Sequence, residues 1–213
     1  YYFEPTAAYF AIKKASEPLH IQWNPATDEV EVVNYSAGTH KGLTAKVQVL
    51  NMDASVAWEK EATVDSNEDT TDKCIKLEFP ENLSKVHFIK MTLTEDGKVV
   101  SDNFYHRSLE ENNYQDLCQL AKVALQSATT VDKNADGTWS AVSVIENKTS
   151  TPALMIRLNV VDGKDDQQIL PVFYSDNYFS LLPGEKKEVR MSWRDEDTRG
   201  NEGKVLITGY NVE

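Results

Sequence analysis

The sequence predicts an all-β protein built as two consecutive sandwich domains, with a short helical stub ahead of them. Three observations carry this reading. Short runs in which apolar and polar residues alternate, the period-two signature of half-buried strands, recur along nearly the whole chain. Polar turn signals separate them. Finally, domains cluster near about 100–150 residues, so a chain of 213 residues has room for two ordinary cores.

The stub comes first. Thr6 to Ser16 (TAAYFAIKKAS) is the best helical signal: Thr6 can cap, the alanines favour helix, and Glu17-Pro18 stops it. A helix of this length is marginal in water by itself. Tyr9, Phe10 and Ile12 therefore need a surface to cover, while Lys13 and Lys14 look solvent-directed. Residues 1–18 read as the tail of something that precedes this chain.

After Pro18 the pattern turns to strands. Leu19 to Trp23 and Glu29 to Asn34 flank a Pro25-Ala26-Thr27-Asp28 turn. In Leu43 to Leu50, Leu43, Ala45, Val47 and Val49 fall on one face and Thr44, Lys46 and Gln48 on the other. Further strands are expected at Val56 to Val64, Cys74 to Phe79, Val86 to Thr94 and Val99 to His106. Glu95-Asp96-Gly97-Lys98 supplies a hairpin turn between the last two. About seven strands are enough for one sandwich, here over residues 19–108.

Leu109 to Leu117 (LEENNYQDL) is polar and lacks either period, so 109–117 is the expected linker. Residues 118–213 then repeat the style, with strands at Lys122 to Gln126, Trp139 to Glu146, Leu154 to Val161, Gln168 to Phe173, Tyr178 to Leu182, Lys187 to Trp193 and Val205 to Tyr210. Leu154, Ile156, Leu158 and Val160 form an inward set, and Leu182-Pro183-Gly184-Glu185 is a tight turn. Limited proteolysis is expected to cut first in the linker or in Asp65 to Asp72 (DSNEDTTD), a stretch too acidic and polar to pack.

Composition narrows the function. The formal charge of −12 would repel phosphate backbones and anionic membranes, so neither nucleic acid nor a membrane is expected as a partner. Residues 1–108 and 109–213 each hold 11 Lys and Arg against 17 Asp and Glu, so each carries −6 and no basic face is masked. Cys74 and Cys118 fall in different halves, which excludes a disulfide framework and leaves two tolerated thiols. No run approaches the roughly 18–20 apolar residues that span a bilayer. The sequence opens at Tyr1 with no signal-like segment, from which a processed or excised piece is expected.

Chemistry-bearing motifs are sparse. With 34 acidic residues, the nearness of any two carries little information about a catalytic carboxylate pair. Asp132-Lys133-Asn134-Ala135-Asp136-Gly137 matches the first half of a calcium loop, but Ser143 stands where the bidentate Glu belongs and a strand follows, so a solvated turn is the better reading. His20, His40, His87 and His106 are scattered without zinc-ligand spacing. Trp23, Trp58, Trp139 and Trp193 lie in or at the ends of strands, where a core role outweighs sugar stacking. Three Asn-x-Ser/Thr triplets, at Asn34, Asn82 and Asn147, are what chance supplies in a polar β protein. No catalytic residue, cofactor site or metal site is named.

Two stretches go beyond pattern. Ala8 to Gln22 (AYFAIKKASEPLHIQ) followed by Val30 to Asn34 (VEVVN) resembles the junction between catalytic barrel and immunoglobulin-like domain in family 2 glycoside hydrolases of the β-mannosidase and exo-β-glucosaminidase type. Ser175 to Val189 (SDNYFSLLPGEKKEV), with Ile207 to Asn211 (ITGYN), resembles their final sandwich, and Val100 to Tyr105 (VSDNFY) the closing strand of the penultimate one. The resemblance implies a larger secreted or periplasmic bacterial enzyme, exo-acting and retaining, cleaving β-mannosides or β-glucosaminides with two carboxyl groups of a barrel that this chain lacks. Its partners would be that barrel and, for the whole enzyme, a β-linked oligosaccharide; no cofactor is implied. Tyr9, Phe10 and Ile12 become the candidate barrel-facing contacts. The two sandwiches would buttress the barrel, with a place at its rim or in a homo-oligomer contact also open to them. A carbohydrate-binding or adhesive module with its own ligand site is the alternative.

Overall fold

The computed structural model describes residues 3–213. It is all-β apart from one helix, α1 (Ala7–Ala15), and two single 3₁₀ turns, Gln115–Gln119 and Asp195–Thr198. The chain forms two compact units, one of Ile12–Gln119 and one of Leu120–Glu213 together with Tyr1–Ala11, so one boundary falls within α1 and the other between Gln119 and Leu120. Of the expected stub, Tyr1 and Tyr2 lie outside the described residues.

The first unit is an immunoglobulin-like sandwich of β1 (Leu19–Asn24), β2 (Glu29–Asn34), β3 (His40–Asn51), β4 (Val56–Ser66), β5 (Thr70–Lys76), β6 (Val86–Glu95) and β7 (Lys98–Ser108). One sheet runs β1-β2-β5 and the other β4-β3-β6-β7, all antiparallel. The alternation in β3 does what the sequence requires of it: Leu43, Ala45, Val47 and Val49 are all 0% exposed and meet Ile21, Val30, Val32, Ile89, Met91 and Leu93 in the core. Asp96 and Gly97 both take positive φ in the turn between β6 and β7, as the twist of a two-residue hairpin demands.

The second unit comprises β8 (Gln126–Lys133), β9 (Thr138–Glu146), β10 (Ala153–Asp162), β11 (Phe173–Tyr174), β12 (Phe179–Leu181), β13 (Lys186–Arg194) and β14 (Gly203–Thr208). Its sheets run β11-β13-β9-β8 and β12-β10-β14. Ile156, Leu158 and Val160 are buried as the period predicts, packed with Ile145, Val189, Met191 and Trp193. Leu154 is buried too, but a register shift between Ala153 and Ile156 breaks the alternation there, and Ala153 takes its place in that core cluster.

Three elements depart from the sequence reading. The acidic stretch Asp65 to Asp72 is no open loop: β4 runs to Ser66 and β5 starts at Thr70, leaving a three-residue turn. Asp65, Glu68 and Asp69 stay exposed, and only Asp72 is half-buried, because hydroxyls meet it. Asp72 Oδ2 accepts from Ser66 Oγ at 2.8 Å and Thr70 Oγ1 at 2.6 Å, and Ser66 is fully buried. In the second unit the strand expected at Lys122 to Gln126 lies at Gln126–Lys133, where all eight residues are exposed and no inward face marks it. Gln168 to Phe173 is mostly irregular around a cis Leu170–Pro171 bond, although Ile169 and Val172 still reach the core.

Each sandwich uses the same asparagine device at the end of a strand. Asn34 closes β2, and its Oδ1 accepts from Ser36 N at 2.9 Å and Ser36 Oγ at 2.6 Å, while Nδ2 donates to Gly38 O and Ser66 O. Asn147 follows β9, and its Oδ1 accepts from Thr149 N at 3.1 Å and Thr149 Oγ1 at 2.8 Å, while Nδ2 donates to Thr151 O and Leu181 O. Both asparagines are 0% exposed. Two of the three Asn-x-Ser/Thr triplets are thus structural turns in which the third residue is captured by the first; Asn82 is exposed.

Candidate functional site

The expected contacts on α1 separate. Phe10 is buried at 5% exposure, with its ring edge-on to Tyr174 at 6.4 Å and tilted against Tyr178 at 6.0 Å, all within the second unit. Such burial is worth roughly 1.5–3 kcal/mol. Glu4 adds an ion pair to Arg157 at 2.6 Å, and the Arg157 guanidinium lies over Tyr178. Tyr9 and Ile12 stay open, at 54% and 68% exposure.

At the C-terminal end of α1 the contacts are polar and belong to the first unit. Lys14 Nζ donates to Glu17 Oε1 and to Asp102 Oδ1, both at 2.7 Å, so Lys14 is not solvent-directed. Glu17 Oε2 accepts from Ser101 Oγ at 2.8 Å and lies 3.4 Å from His20 Nδ1. Ser101 Oγ accepts in turn from Ile21 N at 3.2 Å, and Asn103 Nδ2 donates to Ile21 O at 3.3 Å. Burial pushes the Glu17 carboxyl up, but hydrogen bonds from His20, Lys14 and Ser101 outweigh it and hold it below its ordinary value. Burial likewise pulls Lys14 down, and the Asp102 carboxylate more than restores it.

Glu17 and His20 of this network line a cleft of about 530 Å³ on the outer face of the β1-β2-β5 sheet. The register sets its floor: His20 on β1 lies beside Val33 on β2, and Val33 beside Thr71 on β5. Gln22 continues the floor, Glu17 and Pro18 rise at one side, and Tyr35 stands at the rim with 69% of its surface exposed. Directly opposite Gln22 on β2, the buried Glu31 accepts from Gln22 Nε2 and Asn24 Nδ2, each at 3.1 Å, which fixes the amide's orientation. Sequence reasoning missed the cleft because Glu17, His20 and Tyr35 have no motif in common; the β1-β2 pairing and the Ser101–Glu17 bond bring them together.

The remaining candidates are structural. All four tryptophans belong to the two cores: Trp23 and Trp193 are buried, and Trp58 and Trp139 pack against them half-buried. Trp139 stacks on Trp193 at 6.4 Å and donates from Nε1 to Asp195. His40 bridges Ser36 Oγ and Glu95 Oε1, each at 2.8 Å. Burial lowers the pKa of both His87 and His106. In the Asp132 to Gly137 segment, Asp136 Oδ1 accepts from Thr138 N and Oγ1, tying the carboxylate into its own turn. Among the described residues no group of three or more His, Cys, Asp and Glu is placed to hold a metal ion, and no helix is long and apolar enough to cross a membrane.

Comparison with known proteins matches this architecture domain by domain. Residues 28–108 match the mannosidase Ig/CBM-like domain, and residues 103–212 match the exo-β-D-glucosaminidase Ig-fold domain. The chain is 31% identical, over 99% of its length, to an exo-β-D-glucosaminidase of Streptomyces avermitilis, of which it covers 26%. It is 23% identical, over 98% of its length, to a mannosylglycoprotein endo-β-mannosidase of Lilium longiflorum, of which it covers 28%. The crystal structure of Amycolatopsis orientalis exo-chitosanase CsxA superposes with a TM-score of 0.91 at 28% identity, covering 99% of this chain and 27% of that one. The chain therefore spans about a quarter of the length of the relatives it matches. With more than half of its residues matched by one domain profile, the chain belongs to the exo-β-D-glucosaminidase Ig-fold family, among the Ig-like domains of the family 2 glucosaminidases and mannosidases.

Proposed function

We propose that this chain is the non-catalytic C-terminal part of an exo-acting, retaining β-glycosidase that cleaves β-glucosaminides, and that its sandwiches buttress the enzyme's catalytic barrel. The observation that carries the reading is the match of residues 103–212 to a domain named for exo-β-D-glucosaminidase, in a chain covering only a quarter of such enzymes. The exposed Tyr9 and Ile12, on a helix otherwise anchored by Phe10 and Lys14, suit a continuing apolar contact with preceding polypeptide. A polymeric glucosaminide is met outside the cell, which supports a secreted or periplasmic parent.

In the polypeptide that carries this chain, deletion from residue 1 onward is expected to lower the melting temperature of the remaining enzyme and its yield of active protein. An unchanged melting temperature and kcat/KM would refute the buttress. The isolated chain is expected to hydrolyse no aryl β-glucosaminide or β-mannoside above the buffer rate. Turnover that survives repurification and vanishes on changing one carboxylate here would overturn the non-catalytic assignment.

A further inference from the structure

We infer that the cleft beside Tyr35 is a subsite for short oligomers of β-linked glucosamine, a non-catalytic hold on the cationic sugar chain. The inference rests on the glucosaminidase reading for the identity of the sugar. The shape and charge of the site argue it independently.

The volume comes first. About 530 Å³, open along one side, admits one or two pyranose rings and leaves the rest of a chain in solvent. The lining suits a sugar better than a protein surface, because most of its side chains carry a polar atom: Glu17, His20, Gln22, Tyr35 and Thr71. Tyr35 provides a large flat face, 69% exposed, at the rim, where the C–H face of a pyranose can lie against it. Gln22 on β1 is oriented by its bond to the buried Glu31, and Thr71 is exposed on β5 across the intervening β2, so donors and acceptors sit on a rigid sheet instead of a loop.

Charge selects the amino sugar over a neutral one. The unit that holds the cleft, Ile12–Gln119, has 11 Lys and Arg against 19 Asp and Glu, so it carries −8 of the chain's −12. A field of that sign raises the local concentration of a polycation and repels polyanions. Within the cleft, Glu17 Oε1 accepts only from Lys14 among the bonds described, whereas a carboxylate oxygen can take about two. It therefore retains capacity for a sugar ammonium.

The test is a titration of the full 213-residue chain with the glucosamine trimer, followed by ¹H–¹⁵N correlation spectra in mildly acidic, low-salt buffer. Saturable shifts are expected at Gln22, Val33, Tyr35 and Thr71. Tyr35→Ala and Thr71→Ala alter exposed side chains and should leave the rest of the spectrum in place; Tyr35→Ala is expected to weaken binding about tenfold. Raising the salt to physiological strength should weaken it several-fold. The N-acetylated, uncharged trimer should bind more weakly than the amine. No saturable shift, shifts that map elsewhere, or equal affinity for the acetylated trimer would each overturn the proposal. None of these results depends on the parent's stability after deletion, so the cleft and the buttress can fail separately.

Discussion

Replacing Asn147 by Ala should destabilise the second sandwich far more than an asparagine beside a loop would be expected to. The side chain is 0% exposed and makes four hydrogen bonds, two accepted from Thr149 and two donated to the carbonyls of Thr151 and Leu181. Removing it strips a partner from the buried Leu181 carbonyl and from the part-buried Thr151 carbonyl and Thr149 N–H and hydroxyl. At about 1–3 kcal/mol for a group left unsatisfied, and with two of these groups failing to recover a water, the loss comes to about 2–6 kcal/mol. That is a large part of the roughly 5–15 kcal/mol that holds a domain together. Urea unfolding reads the effect, because Trp139 and Trp193 both sit in this core and report its melting by fluorescence. The midpoint should fall strongly at constant slope, and Asn82→Ala, at an exposed position, serves as the control expected within about 0.5 kcal/mol of the parent. A loss below about 1 kcal/mol for Asn147→Ala would refute the argument that the turn is held by this amide.

Other expectations follow from the same contacts. Phe10→Ala should cost about 3 kcal/mol in the second unit, against less than about 0.5 kcal/mol in this chain for Tyr9→Ala or Ile12→Ala; equal effects at the three positions would show that Phe10 is no anchor. Because the Glu17 pKa is depressed, its stabilisation is complete above the ordinary 4.5 and is lost as pH falls through the folded value. Glu17→Gln should therefore flatten the acid limb of a stability–pH curve for the first unit, and an unchanged limb would contradict the network. Burial pushes the Cys74 thiol to about 11, whereas Cys118 is exposed, so a thiolate-seeking reagent near neutral pH should label Cys118 first by mass spectrometry.

How far the sequence could be read depended on whether an element buries one face. Strands β3 and β10 do, and their alternating apolar residues gave their positions, with the inward set of β3 and that of β10 from Ile156 onward; the irregularity at Ala153–Ile156 left no mark in the pattern. Strand β8 buries none, so its Gln-Ser-Ala-Thr-Thr-Val-Asp-Lys run carries no period to detect. The Ser66–Asp72 pairing turned an apparently unpackable acidic loop into a hairpin, through hydroxyl–carboxylate bonds that composition cannot foresee. At the candidate surfaces, the apolar side chains of α1 were visible as a group, but which of them is buried depends on the aromatic pair Tyr174 and Tyr178, more than 160 residues away. The cleft was illegible for a similar reason: its floor is set by strand register, and its polar wall by contacts between residue 17 and residue 101.

Strand β8 has a consequence of its own. It is the end strand of its sheet, paired only with β9, and every one of its eight side chains is exposed. Beyond the backbone ladder it is held by a hydroxyl contact between Thr129 and Ser143 and an ion pair between Lys133 and Asp195. Detaching it uncovers little apolar surface, so it is the cheapest piece of the second sandwich to open while the rest stays folded. Its amides should exchange with solvent well before those of β10. The peeled state would bare the free backbone of β9, a template on which an extended segment of another chain could zip. At rest, the adjacent Asp132 and Lys133 place charge at the end of that edge, which opposes such pairing between copies.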